Sequence, residues 1–208
     1  MGAELSDETR PLEVTRPGLF IPVVLGSIRR NRRSFYPARL LAERVVAAGH
    51  RTELIDLREL RLPMYDEEEA TDAHQAVLAF KATMARSDAS VWLSPEYNHS
   101  FTSVIKNAID FLHDELRRKA VAACGLTGGA SGGIRATEGL KTVLIELHAV
   151  PIRESVHFSD ARTMFDAEGT LLHPEVVRRI DYVLADLTWY ARALNWGREH
   201  LPVPQRLR

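Results

Sequence analysis

The chain has 208 residues, 45% of them apolar, and its 27 basic and 28 acidic side chains give a net charge of -1. This length can bury one sizeable core, while the balanced charge excludes a long nucleic-acid groove or an anionic membrane surface as the expected partner. A single cysteine excludes an internal disulfide, and the lack of a signal-peptide pattern or of a long apolar run predicts a cytoplasmic protein without a membrane span.

Composition divides the chain into three parts. Residues 1–17 are polar and contain acids, so we expect a flexible N-terminal lead-in. Residues 18–200 carry the periodic apolar patterns and are predicted to form a single domain. Residues 201–208 are expected to form a C-terminal tail.

Five apolar segments alternate with five amphipathic segments along the domain. The predicted strands lie at 20–26, 51–57, 88–94, 120–127 and 150–158. The predicted helices lie at 34–48, from the N-cap Thr71 to about residue 84, and at 101–116, 134–148 and 174–196. This alternation indicates an α/β fold with a parallel sheet covered on both faces, and we predict the doubly wound order 2-1-3-4-5.

The predicted strand order places strands 1, 3 and 4 next to one another. Because the carboxyl ends of parallel strands meet at one edge of the sheet, the loops that follow these three strands should lie together. These loops, at 26–34, 95–100 and 127–133, are also the stretches with the most unusual composition. The sequence therefore predicts one composite pocket at this edge.

The first of these loops is suited to an anion. Gly26 and Ser27 end a buried strand and leave backbone N–H groups near a helix start, where partial positive charge collects. Arg29 and Arg32 can add charge-assisted hydrogen bonds to a phosphate. The arginine run is also compatible with a solvated surface or a nucleic-acid patch, but its place at the end of a buried strand favours a terminal phosphate.

The other two loops have the composition of a ligand-binding wall. Residues 95–98, with the sequence PEYN, form either a capped turn or a rigid turn that presents N–H groups and an aromatic edge to a flat ligand. Residues 127–133, with the sequence TGGASGG, have the glycines required where backbone approaches a ligand closely, although glycines also serve ordinary turns. The two loops together are more informative than either alone.

These motifs resemble those of the NAD(P)H-dependent FMN reductases, a family with a flavodoxin-like fold that includes quinone, azo-dye and chromate reductases. The resemblance covers about residues 20–157 and rests on GSIRRNR at 26–32, PEYNHS at 95–100 with KNAID at 106–110, and GGASGG at 128–133 followed by IRA. It implies three groups of FMN-binding residues. They are Ser27, Arg29, Arg32 and Ser34 for the phosphate, Pro95, Glu96, Tyr97 and Asn98 along the isoalloxazine, and Thr127, Gly128 and Gly129 at its other edge.

The resemblance also implies NADPH or NADH as co-substrate, a small-molecule electron acceptor, and a homodimer or tetramer. Because the flavin carries the hydride, no catalytic side chain and no metal site are required. We expect helix 101–116 to contribute to the dimer, with Phe111 off its main apolar face. Thr102 and Ser103 depart from the family, since many members have Pro-Gly there, and this difference affects the entry to the following helix.

The glycine-rich turn also permits a serine hydrolase. Residues 129–133, Gly-Ala-Ser-Gly-Gly, satisfy the G-x-S-x-G pattern with Ser131 between a strand and a helix, and Asp160 or Asp166 with His173 would complete the Ser-Asp-His order. This alternative lacks an HGGG-type oxyanion loop and leaves the arginine run unexplained. A non-enzymatic flavin electron carrier is the third possibility, which the near-neutral charge disfavours.

Two further residues stand out. Asp56 ends the second strand, where a Rossmann protein binds a ribose, but no G-x-G-x-x-G follows the first strand. Cys124 lies in the apolar run AVAACGL and is predicted to be a buried structural thiol. The eight histidines are scattered and show no metal-ligand spacing.

Overall fold

The computed structural model describes residues 18–66 and 73–202. The expected lead-in at 1–17, the expected cap Thr71 and residues 203–208 of the expected tail lie outside the described residues. The strands are β1 Val23–Leu25, β2 Leu54–Asp56, β3 Ala89–Pro95, β4 Ala120–Leu126, β5 Val150–Pro151 and β6 His157–Phe158. The helices are α1 Phe35–Ala47, α2 Leu57–Leu60, α3 Gln75–Arg86, α4 Ser103–Asp110, α5 Ile134–Glu146 and α6 Glu175–His200.

The strands form a parallel sheet in the order β2-β1-β3-β4-β5, which confirms the predicted doubly wound topology. The fifth predicted strand is divided into β5 and β6, both of which pair with β4. Val150 pairs with Ala120 and His157 with Gly125, so the edge strand has two more residues than β4 over this stretch. An edge strand can carry such extra residues because its outer side has no partner to keep in register.

Alternate side chains of the buried strands enter two separate cores. On β3, Val91 and Leu93 face the layer of α1 and α6, whereas Trp92 faces the layer of α3, α4 and α5. Trp92 is fully buried and meets Phe80 of α3 edge to face, with ring centroids 6.4 Å apart. The continuous apolar runs in the sequence therefore reflect strands that are covered on both sides.

The helix predicted at 101–116 is shorter than expected, because α4 ends at Asp110. The chain turns there and Phe111 points inward, where it is fully buried and packs edge to face on Tyr65 at 5.2 Å between centroids. Phe111 therefore belongs to the core of its own chain. The apolar stripe of α4, formed by Ile105, Ala108 and Ile109, is likewise buried within its own chain.

Two helix ends and one short helix differ from the sequence pattern. Helix α3 begins at Gln75, and its N-cap residue is His74. The Nδ1 atom of His74 accepts a hydrogen bond from the Ala76 N–H at 3.2 Å. The one-turn helix α2 was not predicted, and the Asp56 carboxylate caps it by accepting from the Arg58 N–H at 3.0 Å. Helix α6 continues to His200, four residues past its predicted end.

Cys124 is fully buried in the centre of β4. Burial raises the pKa of its thiol to about 12, so the side chain is neutral and unreactive at physiological pH. This confirms the prediction of a structural thiol.

His50 connects the sheet edge to α6 and should make stability depend on pH. Its Nδ1 accepts from the Leu19 N–H at 3.3 Å and its Nε2 lies 2.9 Å from Thr188 Oγ1. Burial, followed by repulsion from Arg192, lowers the pKa of His50 below its ordinary value of 6.5. The unfolded chain therefore takes up this proton more readily than the folded one, and the free energy of unfolding should fall as the pH drops below 6.5.

The variant His50→Gln isolates this effect. Its free energy of unfolding should change less between about pH 7.5 and about pH 5.5 than that of the wild type, because glutamine takes up no proton in this range. Urea unfolding at the two pH values measures the difference. An equal pH dependence in both proteins would show that His50 does not control it.

Candidate cofactor-binding site

The three predicted loops meet at the carboxyl ends of β1, β3 and β4 and enclose a cavity of about 550 Å³. This volume is in the range of small-molecule sites. The two predicted residues Asn98 and Gly129 belong to the same loops but do not line it. The predicted residues that line it are Ser27, Arg29, Arg32, Ser34, Pro95, Glu96, Tyr97, Thr127 and Gly128.

Two buried serines line this cavity. Ser27 and Ser34 are each 1% exposed, and Ser27 Oγ is 3.4 Å from the Tyr97 hydroxyl. Ser34 is the N-cap residue of α1, but its hydroxyl makes no cap hydrogen bond and has no partner among the described residues. A buried hydroxyl without a partner at a helix start can donate to a phosphate oxygen, which would be its missing acceptor.

Arg32 holds the loop rather than pointing freely into the cavity. Its Nη1 donates to the Ser27 carbonyl oxygen at 2.5 Å, and its Nη2 forms an ion pair with the carboxylate of Asp56. The two side chains are only 8% and 12% exposed. Arg32 therefore fixes the turn after β1 to the end of β2.

Arg29 takes a different position, with its guanidinium over the Tyr97 ring at 5.5 Å from the centroid. Its charge is at the mouth of the cavity, where it is available to an anion. This contact joins the first loop to the second, and the Tyr97 ring remains 37% exposed beside it. A guanidinium on an aromatic face is a cation–π contact, which holds the arginine without neutralising it.

Arg162 is a cavity residue that sequence reasoning missed. The pairing of β6 with β4 brings its segment beside the glycine-rich loop, where the Ala161 N–H donates to the Thr127 carbonyl oxygen at 3.0 Å. Arg33 Nη1 donates to the Arg162 carbonyl oxygen at 2.9 Å. In the part of the chain that the structure describes, no acidic side chain pairs with Arg162. No local pattern marks this residue, because it lies far along the chain from the other arginines.

The loop after β3 is a tight turn closed by reciprocal hydrogen bonds of 3.0 Å between the backbones of Tyr97 and Ser100. Asn98 and His99 occupy its two central positions with φ of 50° and 66°, the left-handed conformation that the tightest two-residue turns require. Glu96 accepts from the Arg135 guanidinium at 2.8 Å. Burial opposes ionisation of Glu96, but these hydrogen bonds outweigh it and hold the pKa of the carboxyl below its ordinary value.

Thr102, which stands where many family members have proline, has a structural role in this chain. Its Oγ1 donates to the Gly26 carbonyl oxygen at 2.7 Å, and its backbone N–H donates to Ser94 Oγ at 3.2 Å. The residue is 5% exposed. Thr102 therefore ties the start of α4 to the loop that carries the arginines.

The glycines of the third loop serve two purposes. Gly132 and Gly133 have φ of 60° and 83°, which the fold itself requires. At Gly128 and Gly129 an added Cβ would lie no closer than 3.5 Å and 3.7 Å to the nearest side-chain atoms, so packing does not require glycine there. The open space at Gly128 belongs to the cavity and fits a group that approaches the backbone closely.

The serine hydrolase arrangement is not assembled. His173 Nδ1 lies 3.1 Å from Glu175, and the carboxylate of Asp166 accepts from the Thr170 N–H at 2.7 Å. Across the described ranges, no hydrogen bond joins Ser131 to a histidine. The described residues contain no cluster of three His, Cys, Asp or Glu side chains suited to a metal, and none of their helices is long and apolar enough to cross a membrane.

An open parallel sheet of order 2-1-3-4-5, with an arginine-rich cavity at the strand ends where the order reverses, defines a flavodoxin-like protein. The sequence model of the family described as NADPH-dependent FMN reductase matches residues 21–163, and the chain belongs to this family. It is an FMN-dependent NAD(P)H oxidoreductase. Nothing among the relatives favours the serine hydrolase alternative.

Known relatives agree with this membership. An NAD(P)H-dependent FMN reductase of Pseudomonas aeruginosa is 32% identical over 180 residues, which cover 83% of this chain and 96% of the relative. An NADPH azoreductase of a Bacillus species is 30% identical over 159 residues, which cover 74% of this chain and 88% of the relative. The solved structure of the flavoenzyme NAD(P)H:(acceptor) oxidoreductase FerB from Paracoccus denitrificans has the same fold, with a TM-score of 0.72, 24% identity and coverage of 84% and 98%.

Proposed function

We propose that this protein binds FMN in the cavity between the three loops and passes electrons from NADPH or NADH to free flavin, a quinone or another small acceptor. The observation that carries the proposal is the buried Ser34 hydroxyl without a partner, beside the arginines at the start of α1. FMN, when bound, supplies the ring that accepts and donates hydride. The protein supplies binding and orientation.

Different residues of the cavity are assigned to the phosphate and to the ring of FMN. We assign the phosphate to Ser27, Ser34 and Arg29, joined by Arg162, while Arg32 positions the loop through Asp56. We assign the backbone of Thr127 and Gly128 to the other edge of the ring, and Pro95, Glu96 and Tyr97 to the walls of the isoalloxazine site. Asn98 and Gly129 belong to the same loops but do not line the cavity.

The proposed partners are small molecules, not nucleic acid or membrane. The chain as a whole is nearly neutral, and the cavity at the sheet edge is open to solvent beside the exposed Tyr97 ring. We propose a cytoplasmic location, since the only cysteine is a buried thiol that does not need an oxidising compartment.

Replacing Arg29 by alanine should weaken FMN binding about tenfold to hundredfold, because a charge-assisted hydrogen bond contributes roughly 1.5–3 kcal/mol. Turnover at saturating FMN should survive, since Arg29 holds the cofactor but does not react. Ser131→Ala is the control, because Ser131 is exposed and does not line the cavity. Fluorescence titration with FMN and NAD(P)H oxidation measure both variants.

The same pair of variants separates the flavin enzyme from a hydrolase. If the protein were a hydrolase, Ser131→Ala would abolish labelling by a serine-directed phosphonate, and Arg29→Ala would leave the labelling unchanged. The absorption spectrum of the purified protein, reconstituted with FMN if colourless, gives an independent answer. Lack of saturable FMN binding at micromolar concentrations would remove the proposal.

We propose that the protein assembles as a homodimer or tetramer. Trp189 and Trp196 support it, since they are 64% and 57% exposed and lie seven residues apart on one face of α6. Light scattering at tens of micromolar protein should give at least twice the chain mass, and Trp189→Ala with Trp196→Ala should reduce it. A monomeric wild type would contradict the proposal.

A further inference from the structure

A second cavity, of about 460 Å³, lies on the other side of the arginine-rich loop. Ile28 of this loop lines the second cavity, whereas its neighbours Ser27 and Arg29 line the first. The second cavity has an apolar part and a cationic rim. Its apolar side chains are Ile28, Leu57, Leu62 and Val104, and its charged side chains are Arg58, Arg61 and Glu59, with Asn107 beside them.

Asp56 lies next to this cavity but is not available to a ribose. One carboxylate oxygen pairs with Arg32 and the other accepts from the Arg58 N–H at 3.0 Å. In Rossmann proteins an acidic residue at the end of the second strand accepts from the ribose 2′-hydroxyl of NADH, whereas an arginine nearby accommodates the 2′-phosphate of NADPH. This chain lacks the Rossmann glycine motif, so only the pairing of arginine with phosphate applies here. Here the carboxylate is engaged and its charge is offset, while two arginines follow it within five residues.

We propose that the second cavity binds the adenosine 2′-phosphate end of NADPH, with Arg58 and Arg61 contacting the phosphate and the apolar side chains contacting the adenine. This inference rests on the proposed oxidation of NAD(P)H. The side chain of Arg58 is positioned by a hydrogen bond, because its Nη1 donates to the Arg30 carbonyl oxygen at 3.3 Å. It remains 40% exposed and can therefore contact a phosphate. The two arginines outweigh Glu59, whose carboxylate is 3.8 Å from Arg58 Nε.

The position of the cavity suits a dinucleotide that reaches the flavin site. Val104 in its wall belongs to the first turn of α4, directly after the loop of Tyr97 that lines the first cavity. Thr102, between them, is bonded to Gly26. The second cavity therefore lies beside the first, since Ile28 lines one and its neighbours Ser27 and Arg29 line the other.

The test uses the FMN-reconstituted protein and isothermal titration with adenosine 2′-monophosphate, compared with adenosine 5′-monophosphate. The wild type should prefer the 2′-phosphate, and Arg58→Ala with Arg61→Ala should weaken its binding about tenfold to hundredfold. The KM for NADPH should rise by a similar factor while the KM for NADH changes little. Arg86→Ala is the matched control, since Arg86 is an exposed arginine that pairs with Glu53 at the opposite end of the sheet.

Binding of the 2′-phosphate probe that is equal in the wild type and the double variant would overturn the inference. An equal loss in Arg86→Ala would also overturn it, because the effect would then come from overall charge. In both cases intact FMN binding and NADH oxidation would leave the proposed function standing. Failure to bind FMN at all would remove the proposed function and this inference with it.

Discussion

Replacing Arg32 by alanine is expected to lower the free energy of unfolding of the apoprotein by about 3–5 kcal/mol, the usual cost of removing one partner from a buried ion pair. The side chains of Arg32 and Asp56 are 8% and 12% exposed, so the variant leaves the Asp56 carboxylate charged and poorly solvated. The Ser27 carbonyl oxygen loses its donor as well. Urea unfolding without FMN measures this effect apart from cofactor binding.

Removing Asp56 as well should recover part of the loss. The double variant Arg32→Ala with Asp56→Ala no longer contains an unpaired buried charge, so it should be more stable than Arg32→Ala alone. Arg29→Ala is the matched control, because Arg29 lies exposed over the Tyr97 ring and should weaken FMN binding with little change in stability. Equal stability of Arg29→Ala and Arg32→Ala would mean that the ion pair does not hold the loop.

Replacing Gly133 by valine is expected to destabilise the protein by at least about 3 kcal/mol, through backbone strain and overpacking together. Gly133 has φ of 83°, and an added Cβ would lie 2.4 Å from the Leu126 backbone nitrogen and 2.9 Å from the backbone of Gly125. These atoms belong to β4 and cannot move without disturbing the centre of the sheet. Thermal unfolding measures the loss.

Gly129→Ala provides the comparison within the same loop. An added Cβ there would meet only Thr127 Oγ1 at 3.7 Å, so stability should change by no more than about 0.5 kcal/mol. If Gly133→Val does not accumulate in soluble form, Gly133→Ala carries the same backbone strain with a smaller side chain. A Gly133→Ala variant as stable as Gly129→Ala would contradict the structural role of the left-handed turn.

The electrostatics of the site are local and not a property of the whole chain. The net charge is -1, yet several arginines lie at one edge of the sheet. Asp56 is offset by Arg32 and Glu96 by Arg135, which leaves Arg29 and Arg162 available to a bound anion. A neutral protein can therefore concentrate positive potential where the phosphate of FMN is proposed to bind.

The sequence by itself determined the strand order and the edge of the sheet that carries the site. A strand that is buried on both faces appears in the sequence as a continuous apolar run. The strands β1, β3 and β4 could be predicted from the sequence for this reason. The composition of the loops after them is also a local property, since turns and close backbone approach need glycine, proline or asparagine at particular positions. These signals depend on neighbours in the chain, so they can be read without the fold.

Only the tertiary structure decided which partner each arginine contacts. Arg32 pairs with Asp56, 24 residues away, and the backbone of Arg162 is held by Arg33 across 129 residues. It also decided that Phe111 is buried in its own chain. Long side chains can reach several partners, and the choice depends on which distant segments the sheet brings together, so no local pattern contains it.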